Sequence, residues 1–213
     1  MWHTRWQQAI ALSPPLIEIV TWNDYGESHY IGPIIDAGVP SGSNTNAHAY
    51  VDGMSHEHWL DSLPYYIAAY KGETLVPTKD DVSMWYRLTP AAAGSTNGVT
   101  GNNCPSPINK YGYQTCVDPN AIAQDKIFVN AIVTSLPATV VVTIGGTTAV
   151  AQDATVVGIN HFSVDFAGRV GRVVVSIVRG GGTVVDAVGE AILSSPPGGV
   201  TNYNAWVGGS KSI

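Results

Sequence analysis

Residues 16–30, Leu16-Ile17-Glu18-Ile19-Val20-Thr21-Trp22-Asn23-Asp24-Tyr25-Gly26-Glu27-Ser28-His29-Tyr30, decide the fold class of this 213-residue chain. Residues 16–22 are an apolar run rich in β-branched side chains, interrupted only by Glu18. Such a run is typical of a strand that is covered on both faces, as in a parallel sheet. Residues 23–32 are polar, aromatic and interrupted by glycine, which indicates the loop that leaves this strand.

Helical patterns flank this stretch on both sides. Before it, Trp6, Ala9 and Ile10 recur at helical spacing, and Ser13-Pro14-Pro15 predicts that this helix ends near residue 12. After it, Ser55 is the expected N-cap of a second helix, which Lys71-Gly72 ends. Helix, buried strand, polar loop and helix together predict a β/α architecture.

The pattern changes after residue 78. Short β-rich runs separated by turn residues predict an antiparallel β-sandwich. We therefore expect an α/β region at 1–78, a β-sandwich domain at 79–213, and a boundary at Val76-Pro77-Thr78. The seven predicted strands are Met84–Leu88, Lys126–Val133, Ala138–Ile144, Thr147–Val150, Phe162–Phe166, Val170–Val178 and Thr183–Val188.

Composition narrows the classes of function. Charged residues make up 12% of the chain and hydrophobic residues 45%, which predicts a packed protein rather than a disordered one. The net charge is −6, and residues 1–78 carry all of it, with two basic and eight acidic side chains. This balance argues against binding to nucleic acid. No stretch approaches the roughly 20 apolar residues of a membrane helix, so we expect no membrane partner.

The two cysteines and the N-terminus point to different compartments. Cys104 and Cys116 lie in a polar segment rich in Gly, Asn, Pro and Tyr, and their spacing favours a disulfide that closes a loop. A pair of free thiols is the alternative. The apolar run at residues 9–12 is shorter than the roughly 7–15 residues of a signal-peptide core, so we expect no signal peptide in this chain. The two observations together indicate a piece of a longer chain.

Asp24 and Glu27 are the candidate catalytic pair. Three peptide steps separate them, so a turn through Gly26 would bring their Cα atoms to within about 7 Å. Inverting glycosidases hold two carboxyl groups roughly 6.5–9.5 Å apart and retaining ones about 5–5.5 Å apart. The spacing permits either geometry. The alternative is an ordinary turn, in which a carboxylate caps backbone amides.

Acid–base chemistry by this pair requires unequal surroundings. A carboxyl beside an apolar wall such as Trp22 or Tyr25 would keep its proton and could protonate a leaving oxygen. A partner carboxylate that accepts hydrogen bonds from Asn23, Ser28 or His29 would stay ionised and could activate water.

The segment Pro15–Pro33, centred on Trp22-Asn23-Asp24-Tyr25-Gly26-Glu27, resembles the last barrel strands of fungal α-1,3-glucanases (mutanases), glycoside hydrolase family 71. The resemblance continues through His56-Glu57-His58-Trp59-Leu60, Leu63-Pro64-Tyr65-Tyr66 and Trp85-Tyr86-Arg87-Leu88. It implies the C-terminal part of a (β/α)8 barrel followed by a β domain. It also implies a secreted, extracellular enzyme that hydrolyses α-1,3-glucan internally with inversion at the anomeric carbon.

The resemblance also assigns roles to residues. Asp24 and Glu27 would be the catalytic carboxylates, and we expect Glu27 to be the acid and Asp24 the base. Neither a metal nor a cofactor is expected. The sugar-binding residues would be Trp22, Tyr25, His29 and Tyr30, although for each aromatic ring core packing is the open alternative. Asn23 could orient a carboxylate or simply form the turn.

The match has one large departure. A complete barrel needs about 250 residues and eight strands, and only one barrel strand is predicted here. We therefore expect little or no hydrolysis by this chain alone and name the missing N-terminal barrel portion as a partner. The alternative function is a non-catalytic glucan-binding or structural β-sandwich protein. The predicted strands carry few aromatic residues, which argues against the glucan-binding alternative.

Overall fold

The computed structural model describes residues 1–42, 45–95 and 122–210. Cys104 and Cys116 lie outside the described residues, so the predicted disulfide stays a prediction. The helices are α1 (Trp2–Leu12), α2 (His48–Val51) and α3 (Trp59–Tyr70), with short 3-10 turns at Asp36–Gly38 and Pro197–Gly199. The strands are β1 (Ser41–Gly42), β2 (Thr45–Asn46), β3 (Asp81–Tyr86), β4 (Lys126–Val133), β5 (Thr139–Ile144), β6 (Thr147–Asp153), β7 (Gly158–Asp165), β8 (Gly171–Arg179), β9 (Gly182–Ile192) and β10 (Trp206–Gly209).

Two four-stranded antiparallel sheets form the β-sandwich, which confirms that prediction. Sheet one has the order β10-β3-β4-β7 and sheet two the order β6-β5-β8-β9. In β5, buried residues alternate with half-buried ones, as expected for a strand with one face on the core. Both sheets contribute to a single core, which includes Val82, Met84, Ile127, Val129, Val140, Val142, Ile144, Val173, Val175 and Ile177.

Glycine pairs make the tight connections of sheet two. Gly145-Gly146 joins β5 to β6, and Gly180-Gly181 joins β8 to β9. All four have positive φ, between 60° and 81°. Two-residue hairpin turns of the kind that fits the strand twist need positive φ, so these turns fix the register of both hairpins.

Sheet one is buried on both faces. All six residues of β3 are buried, because α1 and α3 cover the face of the sheet that points away from sheet two. The Trp59 ring of α3 meets Trp85 of β3 edge to face at 6.3 Å, and Asn130 of β4 donates to Ser62 Oγ at 3.2 Å. The described chain is therefore a three-layer structure of helices, sheet one and sheet two.

The strand predicted at residues 16–22 is absent, and this prediction is wrong. The segment is irregular, and the side chains of Leu16 and Val20 are 77% and 62% exposed. Its last two residues make backbone hydrogen bonds: Thr21 N–H donates to His29 O and Thr21 O accepts from Ile31 N, each at 3.0 Å, and Trp22 O accepts from Gly32 N at 2.9 Å. An apolar run forms a buried strand only where neighbouring strands pair with it, and no strand among the described residues pairs with this one.

Other element boundaries were predicted with mixed success. The first helix ends at Leu12 as predicted, with Ser13 in the left-handed region. The helix that Ser55 was expected to cap begins at Trp59 instead, since Ser55 Oγ accepts from Glu57 N within the preceding turn. Strand β10 was not predicted. Among the described residues, no helix is both long and apolar enough to cross a membrane.

Candidate functional site

The acidic turn, residues 24–29, is a hydrogen-bonded loop between Thr21 and Tyr30. Its backbone closes through His29 N–H to Asp24 O at 3.1 Å and Ser28 N–H to Tyr25 O at 3.2 Å. Asp24 N–H donates to Thr21 Oγ1 at 2.8 Å, which ties the start of the turn to the preceding segment. The turn thus has a defined backbone path although it lies outside regular secondary structure.

The turn brings the two predicted catalytic carboxylates together. One oxygen of Asp24, one oxygen of Glu27 and a ring nitrogen of His29 all lie within 4.8 Å of one another. Glu27 is 71% exposed and His29 52% exposed, with His29 Nδ1 3.4 Å from Glu27 Oε2. The acids therefore face each other at a surface that a polymer could reach. Exposed acidic groups at this spacing are common without a bound ion.

Asp24 also serves the turn itself. Its Oδ1 accepts from Glu27 N–H at 3.1 Å, so the half-buried Asp24 forms the turn while Glu27 stays exposed. The nearest oxygens of the pair are closer than the roughly 6.5–9.5 Å at which inverting enzymes hold their carboxyl groups. Reaching the inverting separation would require the 71% exposed Glu27 side chain to turn away from Asp24.

Trp22 and Asn23 border the turn. Trp22 is 53% exposed, and its indole rests on Gly32, where a Cβ atom would come within 2.6 Å of the ring. Glycine at this position therefore lets the ring pack closely while the remainder stays accessible. Asn23 is exposed, and its carbonyl accepts from Tyr25 N–H at 3.0 Å, which is the turn-forming alternative for this residue.

Tyr25 and Tyr30 differ from the expected sugar-binding role. Both rings are buried, at 2% and 0% exposure, in a small second core with Val39, Ala47 and Val51. Tyr25 OH donates to Pro33 O at 2.7 Å and accepts from Ile35 N–H at 2.9 Å. A covered ring cannot stack on a sugar, so for these two residues the core-packing alternative is correct. Their rings anchor the acidic turn to this small core.

Tyr50 is a site residue that sequence reasoning missed. Its hydroxyl donates to the carbonyl of Gly26, midway between the two acids, at 2.8 Å. Burial and the nearby charge of Asp24 raise the pKa of Tyr50. The hydroxyl therefore stays protonated as a donor over the working range of most enzymes. Tyr50 lies 24 residues from Gly26 in a loop-rich region, and no local pattern indicates the contact.

A buried layer lies beneath Tyr30. The His56 ring stacks on Tyr30 at 4.0 Å, and its Nδ1 lies 2.7 Å from Tyr30 O. Tyr30 OH donates to Met54 O at 2.5 Å and accepts from Asn204 Nδ2 at 3.0 Å. Burial raises the pKa of Tyr30 to about 12. His56, which the sequence placed at a helix start, is thus part of the support of the site.

Comparison with known proteins points to one family. The sequence profile of glycosyl hydrolase family 71 matches residues 1–213. The chain is 34% identical over 206 residues to a glucan endo-1,3-alpha-glucosidase of Schizosaccharomyces pombe, covering 96% of this chain and 43% of the relative. It is 34% identical over 222 residues to a mutanase of Penicillium rubens, covering 97% of this chain and 42% of the relative.

A third relative matches a shorter part. An ascus wall endo-1,3-alpha-glucanase of Schizosaccharomyces pombe is 35% identical over 120 residues, covering 55% of this chain and 27% of the relative. The chain thus spans less than half the length of these curated relatives. No solved structure matches it significantly.

Proposed function

The chain belongs to glycosyl hydrolase family 71, and we propose that it carries the acid pair of an endo-acting α-1,3-glucanase. The observation that carries this proposal is the exposed acidic turn, on which Asp24 and Glu27 face each other beside the half-exposed Trp22. The names of two relatives, an endo-1,3-alpha-glucosidase and a mutanase, support α-1,3-glucan as the substrate.

The proposed reaction is a single displacement with inversion. Glu27 as the acid gives its proton to the glycosidic oxygen as the bond to the anomeric carbon breaks. Asp24 as the base removes a proton from a water molecule that attacks that carbon from the opposite face. The product is a hydroxyl of opposite anomeric configuration. Glu27 is then ionised and Asp24 protonated, and the pair is reset when Asp24 releases a proton to the solvent and Glu27 takes one up.

The surrounding side chains supply binding rather than acid–base chemistry. Trp22 can stack on a pyranose face, as aromatic rings in sugar sites do. His29 lies beside Glu27, with its Nδ1 3.4 Å from Glu27 Oε2, and can donate a hydrogen bond to a sugar hydroxyl. Asn23 is exposed next to Asp24, and its side-chain amide is available to orient a carboxylate or a hydroxyl.

We further propose that residues 1–78 belong to a β/α barrel whose remaining strands would cover residues 16–22. Two observations support this. Leu16 and Val20 are exposed although their residue types favour burial, and the relatives are more than twice as long as the matched region. An enzyme that cleaves an insoluble wall polysaccharide would act outside the cell, so an extracellular location follows from the same proposal.

The alternative, a non-catalytic glucan-binding sandwich, receives no support from the surface. Among the described residues of 79–210, every aromatic side chain is buried or half-buried. Exposed aromatic platforms are what sugar-binding surfaces use most. The sandwich is better suited to supporting the acidic turn than to holding a polysaccharide by itself.

A chimera tests the proposal. Residues 1–213 would replace the region that they match in the Penicillium rubens mutanase, and release of reducing ends from α-1,3-glucan would be measured. We expect Asp24→Asn and Glu27→Gln each to lower the turnover rate by roughly 10²–10⁴-fold with unchanged thermal unfolding. Glu57→Gln, an exposed carboxylate bonded to Ser55, is the matched control and should keep the rate. Near-normal rates in both variants of the acidic turn would refute the assignment.

The stereochemistry gives a second readout. Proton NMR of the first products should show the β-anomer before mutarotation, because a single displacement inverts the α linkage. Initial formation of the α-anomer would instead require a covalent intermediate and would contradict the roles given to Asp24 and Glu27.

A further inference from the structure

The carbonyl of Gly26 is anchored from outside the acidic turn. Gly26 lies between Asp24 and Glu27, so the position of its peptide sets how the two acids are oriented. Tyr50 OH donates to this carbonyl at 2.8 Å from the end of α2. The hydrogen bonds that close the turn come from residues 21–29 themselves, whereas the Tyr50 contact ties the turn to α2.

Tyr50 is itself held by the C-terminal region of the chain. Its backbone oxygen accepts from Asn204 Nδ2 at 3.0 Å and from Asn202 Nδ2 at 3.2 Å. The two contacts span 152 positions of the sequence for Asn202 and 154 positions for Asn204. The tyrosine is therefore bonded at its hydroxyl to the acidic turn and at its backbone to the segment that precedes β10.

Asn204 makes contacts with three separate segments. It is 8% exposed, and its Nδ2 donates both to Tyr30 OH at 3.0 Å and to Tyr50 O at 3.0 Å. Its Oδ1 lies 3.1 Å from His56 Nε2. Both amide N–H groups and the amide oxygen thus have partners, which fixes the side chain in one orientation. Through Tyr30 and Tyr50, Asn204 holds the residue that follows the turn and the residue that anchors its centre.

The support of Asn204 comes from sheet one. Two residues after Asn204, β10 begins and pairs with β3 from Trp206↔Tyr86 to Gly209↔Ser83. Asn204 N–H also donates to Asn202 Oδ1 at 2.9 Å. Hydrogen bonds of Asn204 and Tyr50 therefore link the segment that leads into β10 to the peptide between the two acids.

From this geometry we propose that Asn204 and Tyr50 are positioning residues, through which the β-rich half of the chain fixes the peptide that lies between Asp24 and Glu27. The inference rests on the proposed function, since the backbone from which the two acids project must be held for their side chains to act on one bond and one water molecule. Misplacement of a reacting group by about 1 Å can cost roughly 100-fold in rate. The sandwich would then be part of the catalytic apparatus without contacting substrate.

The first test uses the 213-residue chain and needs no hydrolysis. Tyr50→Phe removes the hydroxyl that holds Gly26 and keeps the ring, so the fold should be retained. Amide exchange measured by NMR should accelerate by about fivefold or more at Glu27 and His29, as expected for loss of one hydrogen bond. Exchange in β8 should not change. Asn204→Asp, which removes both N–H donors, should give the same effect, and Asn202→Ala, which removes one contact to Tyr50 O, should give a smaller one.

The second test separates positioning from binding. In the chimera described above, Tyr50→Phe should lower kcat by roughly tenfold with KM changed by less than about twofold, because only the orientation of the acids is disturbed. Unchanged exchange at Glu27 and His29 in the folded Tyr50→Phe chain overturns the inference, as does an unchanged kcat in an active chimera. An inactive chimera with accelerated exchange would instead refute the proposed function and leave the positioning contacts intact.

Discussion

The β-sandwich and the segment at residues 13–35 contain the same kinds of apolar side chain but treat them in opposite ways. Val142 and Ile177 in the sandwich are fully buried, whereas Val20 and Leu16 in the segment are 62% and 77% exposed. The sandwich strands face a second sheet, and the apolar side chains on their inner faces pack across one core. In the part of the chain that the structure describes, residues 16–22 have no neighbouring strand. Burial is therefore set by what lies opposite a side chain rather than by its type.

The strongest test of this contrast is a pair of matched truncations. Ile177→Ala should lower the free energy of unfolding by about 2–5 kcal/mol, because it leaves a cavity in a closely packed core. Leu16→Ala should change it by less than about 0.5 kcal/mol, because the side chain is largely in solvent. Denaturant unfolding followed by circular dichroism measures both. Equal losses would show that residues 16–22 are packed in solution.

Lowering the pH should destabilise the fold at the contact between α1 and sheet one. His161 of β7 stacks on His3 of α1 at 3.8 Å, and its Nδ1 lies 2.8 Å from Asn130 Oδ1. Burial, and to a lesser extent the charge of His3, lower the pKa of His161 from 6.5 to about 4. The unfolded chain then binds this proton near pH 6.5 and the folded chain only near pH 4. Stability is complete above pH 6.5 and falls by up to about 3 kcal/mol as the pH drops to 4.

His161→Gln tests this expectation because it removes the titrating ring and keeps a donor for Asn130. Its free energy of unfolding should depend less on pH between 6.5 and 4 than that of the parent chain. His3→Gln removes the facing ring and should raise the pKa of His161, followed by NMR titration. A parent chain whose stability is flat over this range would contradict the assignment.

Smaller effects are expected from single hydroxyl deletions in the two cores. Tyr86 OH donates to Glu190 O at 2.7 Å in the sandwich, and Tyr25 OH bridges Pro33 and Ile35 beneath the acidic turn. Tyr86→Phe and Tyr25→Phe should each cost about 1 kcal/mol, measured by thermal unfolding. If Tyr25→Phe has no effect and Tyr86→Phe has a clear one, the hydrogen bonds of Tyr25 with Pro33 and Ile35 do not contribute to stability in solution.

The smallest expected effect on stability comes from replacing exposed apolar residues. Leu16→Ser combined with Val20→Ser should leave the unfolding midpoint nearly unchanged and should reduce self-association, measured by light scattering. Increased self-association or a clear loss of stability would mean that these side chains are already covered within the chain.

Sequence patterns predicted the sandwich well and the support of the site poorly. The bounds of β4 match the predicted Lys126–Val133, because turn residues and β-branched runs are local signals. β10 was missed because it has four residues, two of them glycine. The apolar run at residues 16–22 could be recognised, but the pattern does not reveal whether anything covers it.

At the site, too, local contacts could be predicted from the sequence and long-range contacts could not. The approach of Asp24 to Glu27 follows from three peptide steps and a glycine, so sequence spacing was enough to predict it. The contacts of Tyr50 with Gly26 and of Asn204 with Tyr50 depend on tertiary packing across 24 and 154 residues. Such contacts leave no periodicity in the sequence. Tyr25 and Tyr30 were predicted to bind sugar, whereas the structure shows both rings buried in the small core next to the acidic turn.

The most direct test of the account compares reducing-end release from α-1,3-glucan by the isolated 213-residue chain and by the chimera, at equal concentration. We predict that the acidic turn acts only when further polypeptide covers residues 16–22, so the isolated chain should be slower by roughly three decades or more. Comparable rates from homogeneous isolated chain would contradict the account, because the residues described here would then suffice for catalysis.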